Sequence, residues 1–325
     1  MEAYSEEDLR KLIASFREGL ELYNKTLSES LEDVRNEPLE NPNSELSKLA
    51  QLLYAHATKI GIAFRPPVSI NASYEQLRET SSKLLLIVGL VAQFEPRAWS
   101  QLYHDEVVSQ VREVISAFIT LLDELEQLDF TDDSSENSEG RLISVGKVWD
   151  SCKSLEELMS LGNIGLLSKQ IKLSIGIVED ASSELSEWLL DPYVETDILI
   201  GQDKEGEDDD DDDEVSHDTL EFANQWITKV KMLKLLLSSL AKSLPTKVAD
   251  GSLLDQFNKE QKSLSANVDD LVCDIFLNQD KEQLDQNAQR VQDQSKLLIK
   301  LVRDLNKGDD KKTMWLDLWL EKFQH

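Results

Sequence analysis

Apolar residues in this chain return at steps of three and four along most of its length. Between Glu6 and Arg35 they stand at Leu9, Leu12, Ile13, Phe16, Leu20, Tyr23, Leu27, Leu31 and Val34. That spacing gathers them on one face of a helix and leaves the charged residues on the other. Ser5, followed by Asp8, has the spacing of a helix cap at the start. Pro38 and Pro42 then stop the helix, because each removes a backbone donor and restrains the residue before it. No stretch alternates with a period of two between turn signals, which is the mark of a half-buried strand. The reading is an all-α fold in which helices bury their stripes against one another.

The remaining helices follow in order. Ser44 to Phe64 turns Leu46, Leu49, Leu53, Ala57 and Ile60 inward and ends at Arg65-Pro66-Pro67. Ser73 to Phe94 contains the run LLLIVGLVA, apolar nearly all round, and is therefore expected at the centre of a bundle. After Pro96, a helix from about Arg97 to Leu128 carries Trp99, Leu102, Val107, Val111, Ile115, Phe118, Leu122 and Leu125. The polar stretch from Phe130 to Gly140 reads as a loop. Ser138 to Glu195 reads as two helices joined near Gly162-Asn163. Their inward residues are expected to include Ile143, Val145, Val148, Trp149, Cys152 and Leu155, then Leu166, Leu167, Ile171, Leu173, Ile175, Val178, Leu185, Trp188 and Leu189. Three long helices follow, from Thr219 to Leu244, Leu253 to Leu277 and about Lys281 to Asn306. A short Trp-rich helix, TMWLDLWLEKF, comes last.

One segment cannot join a core. Residues 201–218 read GQDKEGEDDDDDDEVSHD, and six consecutive aspartates repel one another and offer nothing apolar to bury. The expected layout is an N-terminal helical bundle over residues 1–195, an acidic disordered linker over 196–216 and a C-terminal bundle over 217–325. About ten helices in two antiparallel bundles account for the pattern, and 325 residues at roughly 150 per domain agree with two domains.

The formal net charge of −29 disfavours direct nucleic-acid binding, which draws its affinity from lysine and arginine on phosphates. A basic protein or a partner helix suits it better. Two cysteines, Cys152 and Cys273, form no disulfide framework or metal-ligand pattern, and a reducing compartment is the simplest setting. The acidic first residues carry no apolar signal region. The longest apolar run is too short for the ~20 residues that a membrane span requires. A nuclear and cytoplasmic protein without membrane attachment is expected.

No catalytic set, cofactor motif or metal site emerges, so a non-enzyme is expected. His56, His104, His217 and His325 stand apart from other ligands, and His56 and His104 read as surface or boundary residues. Gly162-Asn163-Ile164-Gly165 lacks the lysine and flanking strand of a phosphate loop. Asp208 to Asp213 lack the glycine and closing glutamate of a calcium loop. Thr131, Ser134, Ser135 and Ser138 sit among acids, as targets of an acid-directed kinase do. Trp149 and Cys152 read as structural core. The residues singled out for partner binding are Trp315, Leu318, Trp319 and Phe323, an apolar cluster on the last helix.

Leu142-Ile143-Ser144, Val148-Trp149 and Cys152, then Asp180-Ala181, Glu184 and Asp191-Pro192-Tyr193 before an acidic tract, resemble the cyclin-D-binding protein family, also called the maternal Id-like family. Val268-Asp269-Asp270-Leu271 with Ile275-Phe276 is a second match. The resemblance implies two bundles similar to those of talin and vinculin. It implies a helix-loop-helix-like regulator, without a DNA-binding basic region, that binds D-type cyclins and helix-loop-helix factors. Such a protein sequesters helical partners and restrains transcription or cell-cycle progression. Two other classes are compatible with the composition: a talin- or vinculin-like cytoskeletal adaptor, and an acidic chaperone for basic proteins such as histones.

Overall fold

The computed structural model describes residues 4–29, 38–130, 138–194, 215–245, 248, 250–306 and 309–324. Among them all regular structure is helical, and the chain divides into two compact units, Met1–Asn163 and Ile164–His325. The proposed acidic linker, Leu31, Val34 and the loop residues Thr131, Ser134 and Ser135 lie outside the described residues, apart from the last two linker residues.

The first unit holds α1 (Glu6–Ser28), α2 (Pro42–Ala63), α3 (Ile70–Leu84), α4 (Leu86–Val91), α5 (Pro96–Trp99), α6 (Gln101–Glu126) and the part of α7 (Ser138–Trp188) that precedes Gly162. The helix starts follow capping chemistry. Ser5 accepts a hydrogen bond from the Asp8 amide while Asp8 reaches back to the Ser5 amide, so two otherwise orphaned donors are satisfied. Pro42 does not merely stop a helix. It occupies the first turn of α2, where its missing N–H costs nothing, and Asn41 caps it. Ser100, at φ 109°, separates α5 from α6 and accepts from the Tyr103 amide. A single helix from Arg97 was expected there.

Helices α1 and α6, distant in sequence, run antiparallel. Arg17 pairs with Asp123 at 2.5 Å and Arg112 donates to Asn24, which sets α1 against α6. The Ser73 hydroxyl donates to the Ala63 carbonyl where α2 turns into α3. The run Leu84–Ala92 is not central. Leu84, Ile87 and Val91 are buried, whereas Leu85 and Leu86 are 59% and 57% exposed. Helical period puts these two on the side away from the core, and no described element covers them.

The second unit holds α7 beyond Gly162, α8 (His217–Lys242), α9 (Gly251–Phe276), α10 (Lys281–Leu305) and α11 (Asp310–Gln324). Leu167, Ile171, Val178, Leu185 and Trp188 of α7 join one core with α8 to α11. The expected boundary near 195 is therefore corrected. The chain divides at Asn163, beside Gly162, whose φ of 63° and ψ of −176° interrupt the helix. Residues 164–188 belong to the second core because their stripe faces α8 and α9. Ile143 and Leu173, expected inward, are 63% and 58% exposed. Trp226, absent from the expected stripe, is buried.

Candidate functional site

A leucine-lined opening lies in the first unit, between α2 and α4. Leu49 and Leu52 form one wall, Leu86, Gly89 and Leu90 the other, and Leu39 closes an end. The cavity measures about 500 Å³. Its shape follows from local structure. The α4 helix has one face to bury, and burying Ile87 and Val91 leaves Leu86 and Leu90 beside the outer face of α2. Gln93 fixes the end of the groove, its Oε1 accepting from the Leu39 amide at 3.0 Å. Glu45 and Lys48 form the rim and pair with each other at 2.7 Å. Leucines with a thin polar border suit the apolar face of another helix better than they suit catalysis.

The sequence-selected residues on α11 part company. Trp319 and Phe323 are buried, with Trp319 Nε1 donating to the Met232 carbonyl at 3.0 Å and its ring stacked on Phe323 at 4.6 Å. Phe323 in turn meets Trp226 edge-on. These two staple the helix to α8 and present nothing to a partner. Trp315 and Leu318 stay exposed beside Met314.

Cys152 is buried, and burial alone pushes its thiol up to about 12, which removes the thiolate that reactivity needs. Trp149, expected in the core, is half-buried instead. Its indole N–H donates to Thr58 Oγ1 at 3.0 Å and its ring stacks on Tyr54. A tryptophan with a polar partner sits at the core's edge because the N–H must be satisfied there. His56, expected at the surface or boundary, is buried between α2 and α3. The Thr80 hydroxyl donates to the Gln76 carbonyl, and His56 Nδ1 lies 2.7 Å from the Gln76 amide nitrogen and 3.1 Å from Thr80 Oγ1. Desolvation holds its pKa below the ordinary value. His104 donates from Nδ1 to the Phe94 carbonyl at 2.8 Å. Among the described residues no group of three or more His, Cys, Asp or Glu is placed to hold a metal, and no helix is long and apolar enough to cross a membrane.

Sequence reasoning missed the groove. Its signal was present in the same run that was assigned to the centre: a helix apolar on every side, only one of which has a neighbour.

Comparison with known proteins adds a family likeness. Residues 45–191 match the family model described as Grap2 and cyclin-D-interacting, N-terminal, which bears out the cyclin-D-binding resemblance over that region. An uncharacterised protein of Saccharomyces cerevisiae is 27% identical over 306 residues, covering 87% of this chain and 85% of that protein. An uncharacterised protein of Schizosaccharomyces pombe is 23% identical over 295 residues, covering 90% and 87%.

Proposed function

We propose, taking residues 45–191 as a Grap2 and cyclin-D-interacting N-terminal region, that this protein is a regulator that captures an α-helix of a partner in the groove between α2 and α4. The partner class is a cyclin or a helix-loop-helix factor. Capture withholds that helix from its usual complex and so restrains transcription or cell-cycle progression, in nucleus and cytoplasm. The observation that carries the reading is the leucine-lined cavity of about 500 Å³, nearly all of whose walls fall inside the family-matched residues. A helix presenting apolar residues at three- and four-residue spacing inserts them along such a groove, and burial of these anchors supplies the affinity.

The test is a titration of a purified D-type cyclin against the wild-type chain and against Leu52→Asp and Leu86→Asp. Both leucines are exposed, so the substitutions spare the core, and matching thermal melts check that the variants fold. Binding by the wild type that weakens tenfold or more in both variants, a loss of about 1.4 kcal/mol, supports the reading. Absence of wild-type binding, or binding unchanged in both variants, refutes it.

A further inference from the structure

In the second unit, α7 and α9 run side by side in the same direction. Ser265 Oγ lies 3.2 Å from Ser174 Oγ, and Trp188 meets Phe276 one end further on. Along this seam α7 exposes Leu173 and Ile177, one turn apart, at 58% and 42%. Asp180 and Glu184 continue the same line at helical spacing and are exposed. From α9, exposed Asp269 and Asp270 close the far end. Burial, then the neighbouring carboxylates Asp270 and Asp180, push the Asp269 carboxyl up, so these groups crowd one another. The ion pair on α7, Lys234 with Glu179, lies on the opposite flank toward α8. Exposed Lys169 of α7, one turn before Leu173, and exposed Lys262 of α9, two turns before Asp269, stand at the other end. The strip is therefore polarised: basic, then apolar, then acidic.

We infer that this α7–α9 strip docks a basic amphipathic helix of a partner protein, its apolar side on Leu173 and Ile177 and its cationic end over Asp180 and Asp269. Charge complementarity selects this occupant. An ammonium or guanidinium group placed between carboxylates that repel one another relieves that repulsion, and a chain with a net charge of −29 draws cationic segments toward it. The lysines at the opposite end fix the direction in which the docked helix lies. The site is separate from the groove between α2 and α4 and stands whether or not that groove binds a cyclin.

The probe is a synthetic amphipathic helix with leucines at three- and four-residue spacing and lysines confined to one end. It is titrated against the full chain at about 0.15 M ionic strength, where screening over about 8 Å suppresses diffuse attraction to the acidic tract. Ile177→Asp should weaken binding about tenfold or more. Asp180→Lys combined with Asp269→Lys should weaken the lysine-ended peptide similarly and favour a glutamate-ended one. All three positions are exposed, and matching thermal melts confirm that the variants fold. Exchange of peptide preference by the charge reversal is the readout specific to this strip, because the groove between α2 and α4 contains neither Asp180 nor Asp269. The inference is overturned if a scrambled peptide of equal charge binds as well. It is also overturned if the charge reversal fails to exchange peptide preference, or if sedimentation shows Ile177→Asp dissolving a dimer of this chain.

Discussion

Helices α4 and α11 are both short, leucine-rich and crowded with apolar side chains, and they end up in opposite situations. The run around α4 looks interior, yet it buries one face and leaves Leu85 and Leu86 more than half exposed. The terminal helix looks peripheral, yet Leu316, Trp319 and Phe323 are almost fully buried. The difference teaches that apolar composition sets how much surface a helix offers, while its neighbours set how much is covered. The α11 helix alternates sides, so a single neighbouring layer accommodates all its large rings except Trp315. The α4 helix has no polar side to turn outward, and the excess becomes a groove.

That comparison breaks first at Trp319. Trp319→Ala removes a buried ring that stacks on Phe323 and donates to the Met232 carbonyl. Its expected cost is about 3–5 kcal/mol, the range for deleting a large core side chain, read from urea unfolding of the second unit. A cost below about 1 kcal/mol would mean that α11 is only loosely attached to the second unit.

Trp149→Ala should fall between the extremes. The ring is half-buried, so burial that would count fully in a core counts in part, and the Thr58 hydrogen bond adds its own share. A loss of about 1–3 kcal/mol is expected. Trp149→Phe keeps the stack on Tyr54 and drops only the N–H, so it should recover most of that loss. Equal melting of the two variants would show that the hydrogen bond, and not the ring, secures this edge.

These contrasts also show how far the sequence can be read. Stripes such as Leu284, Ala288, Val291, Ser295, Leu298 and Val302 are buried as the spacing predicts, because period alone decides which residues share a face. Period does not say which neighbour the face meets. The part of α7 from Leu167 to Trp188 was assigned to the first bundle because the acidic tract comes after it, yet its stripe belongs to the second core. The same limit hid the groove, which exists only once α2 and α4 are side by side. Ser100 gave no warning either, since nothing in its residue type announces a φ of 109°. Trp319 and Phe323, singled out for partner binding, are covered by the chain itself, which packs them against α8.

Acid should loosen the α2–α3 side before it touches α11. His56 is held neutral by burial, chiefly, with Lys59 and Lys83 opposing its charge and Glu79 favouring it. Its folded pKa lies below the unfolded value of about 6.5. The unfolded chain therefore binds the extra proton first. Stability contributed by the neutral ring is intact above about 6.5 and is lost as pH falls through that value toward the lowered folded pKa. Urea midpoints of wild type and His56→Gln at about pH 7.5 and about pH 5.5 measure it. The wild type should lose stability across that interval for the first unit, and His56→Gln should lose less. Parallel losses would remove His56 as the cause.

The smallest expected effect lies at Leu86. Leu86→Ser changes a side chain that is 57% exposed and faces the groove. Little apolar burial is surrendered, and a surface change of this kind stays within about 0.5 kcal/mol. Serine lowers helix propensity by only a few tenths of a kcal/mol relative to leucine, so the midpoint of unfolding should scarcely move. The near-silence is informative because of the residue that follows. Ile87 points into the core at 0% exposure, and Ile87→Ser should cost about 2–5 kcal/mol. Adjacent residues of similar size whose costs differ this widely would establish that α4 has an inner and an outer face. Similar costs at both positions would mean that Leu86 is covered in solution and that the groove is closed until a partner opens it.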